Sequence, residues 1–206
     1  MTALSLSRMD YDVLNVVVLK KMATADAVTA VSGVDPTVVS DVLAALADHG
    51  LVVVAGGSAL PTDGAESALA ATAADRYAAL RDDDAVAGLV DRFETTNAQF
   101  LTAMSSWQQV DMGGRKVAND HSAPDYDAKV IDRLHKLVTR LGPLFEALAG
   151  HDPRFARYPE RFDAVLAAID AGDHDLVSSP TRDSVHNIWF EFHEDLLRTL
   201  GRERTE

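Results

Sequence analysis

The sequence contains no cysteine. Disulfides, thiolate metal sites and cysteine nucleophiles are therefore excluded. No apolar run approaches membrane-spanning length, so no membrane association is expected. The opening residues "MTALSLSRMDYD" lack a basic start followed by an apolar core, so a secretory signal is not expected either. Aromatic residues are sparse, whereas alanine, valine and aspartate are abundant, a mixture that favours helix. The sharpest local absence is of positive charge. From Met22 through Asp75 there is no lysine or arginine, while the same span holds seven acids: Asp26, Asp35, Asp41, Asp48, Asp63, Glu66 and Asp75. The whole chain carries a formal charge of −13, which opposes attraction to nucleic acid or anionic membrane unless a local patch overrides it. A nucleophile motif, a Gly-rich phosphate loop and a paired-carboxylate constellation are all missing, so an enzyme lacks support and no cofactor is expected.

What is present suits one large domain or two small ones. The 206 residues are 47% hydrophobic, enough to build a core. A first helix is predicted from about Met9 to Met22, on a stripe of Val13, Leu14, Val17, Val18 and Met22. A short helix follows over Ala25 to Val31. Asp35 then caps a third, with Pro36 at its first position and Val39, Val42, Leu43 and Leu46 facing inward. Gly50 stops it. "LVVVA" reads as a β-branched strand, "GG" as a tight hairpin turn, and "SAL" as the return.

This series, with its "LADHGLVVV" and "LPTDGAESAL" junctions, resembles the winged-helix domain of MarR-type transcription regulators over roughly the first 80 residues. The resemblance implies a winged helix-turn-helix with a short β-hairpin wing over residues 1–81. DNA binding by such a domain rests on lysine and arginine at phosphates and on long polar side chains at base edges. Here the third helix should present Thr37, Ser40, Asp41, Ala44 and Asp48 outward, and the wing tip is "AGGSA". If DNA is bound at all, Lys20, Lys21, Thr37 and Ser40 are the residues to do it. Conventional binding is expected to be lost, with the module kept for packing or for a partner.

"RDDDA" marks the passage to a second half, residues 82–206, expected as an all-helical bundle for dimerisation, ligand binding or both. In "AVAGLVDRFETTNAQFLTAMSSWQQ", Val86, Val90, Phe93, Asn97, Phe100, Met104 and Trp107 form a seam wide enough for another long helix, which motivates a homodimer. The polar stretch "VDMGGRKVANDHSAP" is long for a loop and so either mobile or functional. "YDAKVIDRLHKLVTRLGPLFEALAG" should break at Gly142-Pro143. "PERFDAVLAAIDAG" and "SPTRDSVHNIWFEFHEDLLRTLG" supply two more helices, the latter with Ser179 as cap and Pro180 at its start.

Thirteen of the 19 basic residues lie beyond Arg92, so the second half is where an anion would be held. Arg133, Lys136 and Arg140 share a helix face, and Arg154, Arg157 and Arg161 cluster in "RFARYPERF". They read either as bidentate anchors for an anionic small molecule or as a solvated face paired with acids such as Asp132 and Glu160. On the last helix, beyond Arg182, the residues His186, Trp189 and His193 share a face. They read as ligand contacts or as core, with His186 bonded to Asp183. A metal would need further ligands from His135, His174 or a carboxylate, and two histidines seven apart are weak spacing, so none is expected. Asn97, a lone amide on the apolar seam, is either a ligand contact or a register-fixing polar pair.

"RFDAVLAAIDAGDHDLV" followed by "TRDSVH" is similar, over about 30 residues, to the last helices of the helical effector domain in GntR-type regulators. That similarity implies a ligand position at His186. Arg161 stands where that domain has a metal-binding histidine.

The expectation is a cytoplasmic regulatory or accessory binding protein, probing a small anion or a protein partner through its helical half. The alternatives are a genuine ligand-responsive DNA-binding regulator, and an enzyme or enzyme subunit built on the last-helix histidines.

Overall fold

The computed structural model describes residues 6–202. The chain is mainly helical, with a small antiparallel sheet, and divides into two compact units. One comprises the described residues up to Asp82 together with those from Phe190 onward; the other is Asp83–Trp189.

The first unit opens with α1 (Arg8–Lys20), capped by Ser7 and Asp10 in a reciprocal capping box. Residues 13–19 are all buried, the pattern of a helix surrounded on every side. The chain turns at Lys21 through a left-handed conformation, passes β1 (Ala23–Thr24), and enters α2 (Ala25–Ser32) and α3 (Pro36–Asp48). Asp35 caps α3 by accepting the Thr37 N–H at 2.9 Å, with Pro36 in the first position. Val39, Val42, Leu43 and Leu46 are buried, each contributing about 1.5–3 kcal/mol relative to exposure. Gly50, at φ +70°, reverses the chain so that the Leu51 N–H bonds the Leu46 carbonyl. The strands β2 (Val52–Ala55) and β3 (Ser58–Pro61) form a hairpin in the sheet order β1-β3-β2, with Val53 opposite Leu60. Its two-residue turn, Gly56-Gly57, has positive φ at both positions, which glycine adopts without strain. Helices α4 (Asp63–Arg76) and α5 (Ala78–Arg81) follow.

In the second unit α6 (Asp84–Gln108) is capped by Asp83, which accepts the N–H groups of Ala85 and Val86. Those bonds, with His151 nearby, hold the Asp83 carboxyl below its usual range. The chain then forms β4 (Gln109–Asp111) and β5 (Lys116–Ala118), α7 (Pro124–Thr139), α8 (Gly142–His151) and α9 (Arg157–Asp170). Val86, Val90, Phe93, Phe100, Met104 and Trp107 are buried, and α6 packs on α7 and α8. The seam is therefore filled within this one chain and does not itself call for a second copy. Trp189 lies parallel to Phe100 with ring centroids 4.0 Å apart, flanked by Phe93 at 5.9 Å and edge-on to Phe162 at 6.1 Å.

Three expectations need correction. The second half is not purely helical, because "VDMGGRKVANDHSAP" folds partly into the β4–β5 hairpin around Gly113-Gly114, where both residues have positive φ. The last helix, α10 (Val185–Leu200), begins later than expected. Its first turn is capped by Ser184, whose hydroxyl accepts the Asn187 N–H, while the Ser179 carbonyl accepts from Ser184 and Asn187 and is held outside the helix. Finally, the boundary between the two compact units falls after Asp82, and the later residues do not all belong to the second. From Phe190 on they return to the first unit, where Phe192, Leu196 and Leu197 are buried.

Their polar side chains explain that return. Asn15, buried in α1, donates to Asp195 at 2.9 Å and accepts from Arg198 at 2.6 Å; Arg198 also reaches Glu66 at 3.1 Å. Lys20 pairs with Glu191 at 3.0 Å, and Arg81 donates to the Thr199 carbonyl at 2.9 Å. Buried polar groups need partners, and these are supplied from 180 residues away in sequence.

Candidate functional site

A cleft of about 930 Å³ lies in the second unit. One wall is built where α6 ends. The Gln109 backbone leaves the helix extended, and the β4–β5 hairpin returns the chain to the helix terminus. Asn119 secures that return: its N–H bonds the Gln108 carbonyl, and its amide donates to the Trp107 carbonyl at 3.0 Å and to Asp127 Oδ1 at 2.9 Å. Asp120 closes the next turn by accepting from the Ser122 hydroxyl at 2.7 Å and backbone N–H at 3.0 Å, which holds its carboxyl below the usual range. His121 sits between them at φ +58°, a left-handed conformation uncommon for any residue but glycine.

That conformation lays the His121 imidazole over Trp107, centroids 4.4 Å apart, and brings Nδ1 to 3.0 Å from Asp127 Oδ2. Asp127, in the first turns of α7, is only 4% exposed. Tyr126 steadies this part of α7 by donating to the Ser106 carbonyl at 3.0 Å. The opposite wall is a short 3-10 turn, His174–Val177, followed by Ser178 and Ser179. His174 meets Trp107 edge-on at 6.3 Å.

The tautomer of His121 follows from donor counting. Both amide hydrogens of Asn119 are engaged, by Trp107 and by Asp127, so its 3.2 Å approach to Nδ1 is not a hydrogen bond. The carboxylate at 3.0 Å requires a hydrogen on Nδ1. In the neutral ring Nε2 is then an acceptor, and it has no partner among the described residues. Among the described residues no group of three or more potential ligands is placed to hold a metal ion.

The residues expected to form a site are distributed differently. Asn97 accepts the Trp189 indole N–H at 3.0 Å, inside the aromatic stack. Arg154 lies 3.6 Å from Asp152 and over the Phe155 ring, Arg157 pairs with Glu160 on the surface, and Arg161 pairs with Asp183. Arg182 grips Asp173 with both nitrogens, at 3.0 and 2.7 Å; that bond raises the arginine above its ordinary value and lowers the aspartate below its own. His186 is half-buried beside Phe100, and desolvation lowers its pKa. His193 is buried in the first unit, so the two last-helix histidines belong to different units. Of the four DNA candidates, Thr37 and Ser40 are exposed on α3, where Ser40 bonds back to the Pro36 carbonyl; Lys20 is engaged by Glu191, and Lys21 is exposed.

A smaller cleft of about 510 Å³ between α6, α7 and α8 carries the opposite charge, from Arg92 and Arg140, with Arg140 donating to Gln99 at 2.6 Å.

Sequence reasoning missed the His121–Asp127–Asn119 cluster. Its only signal was a polar stretch between two strong helix patterns. Asn15 was missed as well, hidden in an otherwise apolar stripe. No protein-family model, curated protein or solved structure matches this chain.

Proposed function

We propose that the protein is a cytoplasmic regulatory or accessory binding protein, in which a winged-helix first unit engages a protein instead of DNA and the helical second unit holds a small molecule. The winged-helix reading is supported by the order α1, α2, α3 and hairpin, and by the edge pairing of β1 with β3. One observation carries the functional part. All seven acids between Met22 and Asp75 are exposed, in a span without a single cation. Phosphates are repelled by such a face.

The same span exposes Val38, Val53, Val54 and Leu60. Val53 and Leu60 are cross-strand partners on the hairpin. Exposed apolar side chains in a span whose charges are all carboxylates suit a protein surface that offers apolar and basic groups together. Of the neighbouring cations, Lys20, Arg76, Arg81 and Arg198 are bonded within the first unit, which leaves the exposed Lys21 against seven acids.

Titration with random duplex DNA at about 50 mM salt tests the reading. No binding is expected up to about 10 μM protein, because non-specific affinity is electrostatic and strongest at low salt. Binding that falls steeply with added salt would overturn it.

A further inference from the structure

The polar lining of the Trp107 cleft combines acceptors and donors, and its carboxylates set its charge. Asp127 and Asp175 contribute carboxylates, His121 contributes Nε2, and no lysine or arginine lines the cleft. Donors are the Trp107 indole N–H, an imidazole N–H of His174, and the hydroxyls of Ser178 and Ser179, which serve either role. The apolar part of the lining is Pro124, Ala128, Ile131 and Pro180.

The arrangement around His121 exceeds what a loop needs to stay folded. A non-glycine residue in the left-handed region costs on the order of 1–3 kcal/mol and persists only where its surroundings enforce it. A buried carboxylate is costly unless well bonded. Here both costs are met by a single motif: the 119–121 segment gives Asp127 two donors, and Asp127 fixes the imidazole. Glycine at 121 would serve the turn alone. Histidine adds an oriented acceptor, 42% exposed, on the wall of the cleft.

We propose that this cleft is a binding site for a small organic cation, of the aryl-alkyl ammonium class. The ammonium donates N–H bonds to His121 Nε2 and to the Asp175 carboxylate, and the aryl group packs among Ile131, Pro124 and the aromatic wall. An ammonium carries three donors and no acceptor, which suits the Asp175 carboxylate and His121 Nε2. The indole's negative face and the two carboxylates favour positive charge. Asp175 also feels Arg182, but that guanidinium's hydrogen bonds go to Asp173. The inference stands apart from the role of the first unit, since it concerns only residues of the second.

The test uses the full chain and two aryl-alkyl probes of similar length and opposite charge, 2-phenylethylammonium and 3-phenylpropanoate, at about pH 8, where an ordinary imidazole is neutral. The protein has two tryptophans, so indole N–H signals in a nitrogen-15 NMR spectrum separate the cleft from the core, and Trp107→Phe assigns them. The ammonium is expected to shift the Trp107 signal saturably and to leave that of Trp189 in place, while the carboxylate shifts neither. Asp175→Asn should weaken binding by about fivefold or more, roughly 1 kcal/mol. His121→Gly is the decisive variant. It suits the backbone at φ +58°, so the protein should stay folded, yet it removes the acceptor and should abolish the Trp107 shift. The proposal is overturned if 3-phenylpropanoate binds as well as the ammonium, if neither probe acts at about 10 mM, or if His121→Gly binds the ammonium undiminished.

Discussion

The two units stabilise themselves with different materials. The second is organised around rings: Trp189 lies between Phe100 and Phe93, with Phe162 at its edge. The first has a mainly aliphatic core, with Tyr11, Tyr77 and Phe192 among its buried side chains, crossed by a polar chain from Asp195 through Asn15 to Arg198 and Glu66. The difference also governs their surfaces. In the first unit Lys20, Arg76, Arg81 and Arg198 are drawn into internal bonds, and the exposed acids of α3, Asp41 and Asp48, stand in a span without lysine or arginine. In the second, Arg92 and Arg140 line a surface cleft. What a unit can bind thus depends on where its cations are already engaged, as well as on how many it has.

Substitutions can break this comparison, starting with the largest expected effect. Trp189→Ala should cost about 3–5 kcal/mol in denaturant unfolding, because the cavity would open at the centre of the ring stack. A loss below about 1 kcal/mol would mean that the rings do not organise the second unit. Asp195→Ala should cost about 1–3 kcal/mol, leaving the Asn15 amide buried without that acceptor. Asn97→Ala should cost about 1 kcal/mol by orphaning the Trp189 N–H, and Asn97→Asp should not restore it at low pH as well as the native amide does.

A smaller effect concerns pH. Burial lowers the His186 pKa, so the folded state takes up its proton less readily than the unfolded state does. This group should leave stability unchanged above about pH 6.5 and reduce it as pH falls from there to the lowered folded value, below which the penalty is constant. His186→Phe should flatten that segment of a stability profile. The smallest effect is expected from Arg157→Ala. Its pair with Glu160 is exposed, and about 0–0.5 kcal/mol is all it should contribute.

Much of the fold was legible because local chemistry decided it. Asp35-Pro36, Gly50 and Gly56-Gly57 place a cap, a stop and a turn by backbone preference alone, and each does so in the structure. The break before Gly142-Pro143 is of the same kind. Ser179 misled because a serine before proline is as good a cap on paper as Ser184; the bonds of Asn187 to Ser184 and to the Ser179 carbonyl choose between them. The cleft was illegible for a related reason. His121 and Asp127 are six residues apart, a spacing without meaning until a left-handed residue and a helix start bring them together. Asn15 reads as a flaw in an apolar stripe until Asp195 is beside it. Arg154, Arg157 and Arg161 were conspicuous as a charge run, yet each meets a carboxylate.

The shared last helix has a consequence for how the chain is made. Ribosomes add roughly 5–20 residues per second, so the segment 83–189 occupies on the order of 5–20 seconds between the first unit's two parts. Throughout that interval Asn15 lacks Asp195 and Arg198, and α1 lacks the side chains that cover it. The segment 83–189 leaves the ribosome as one uninterrupted stretch and can assemble before residues 190–202 emerge. The unit whose synthesis starts first is therefore the one completed last, and during that wait its nascent α1 is the natural client for a chaperone.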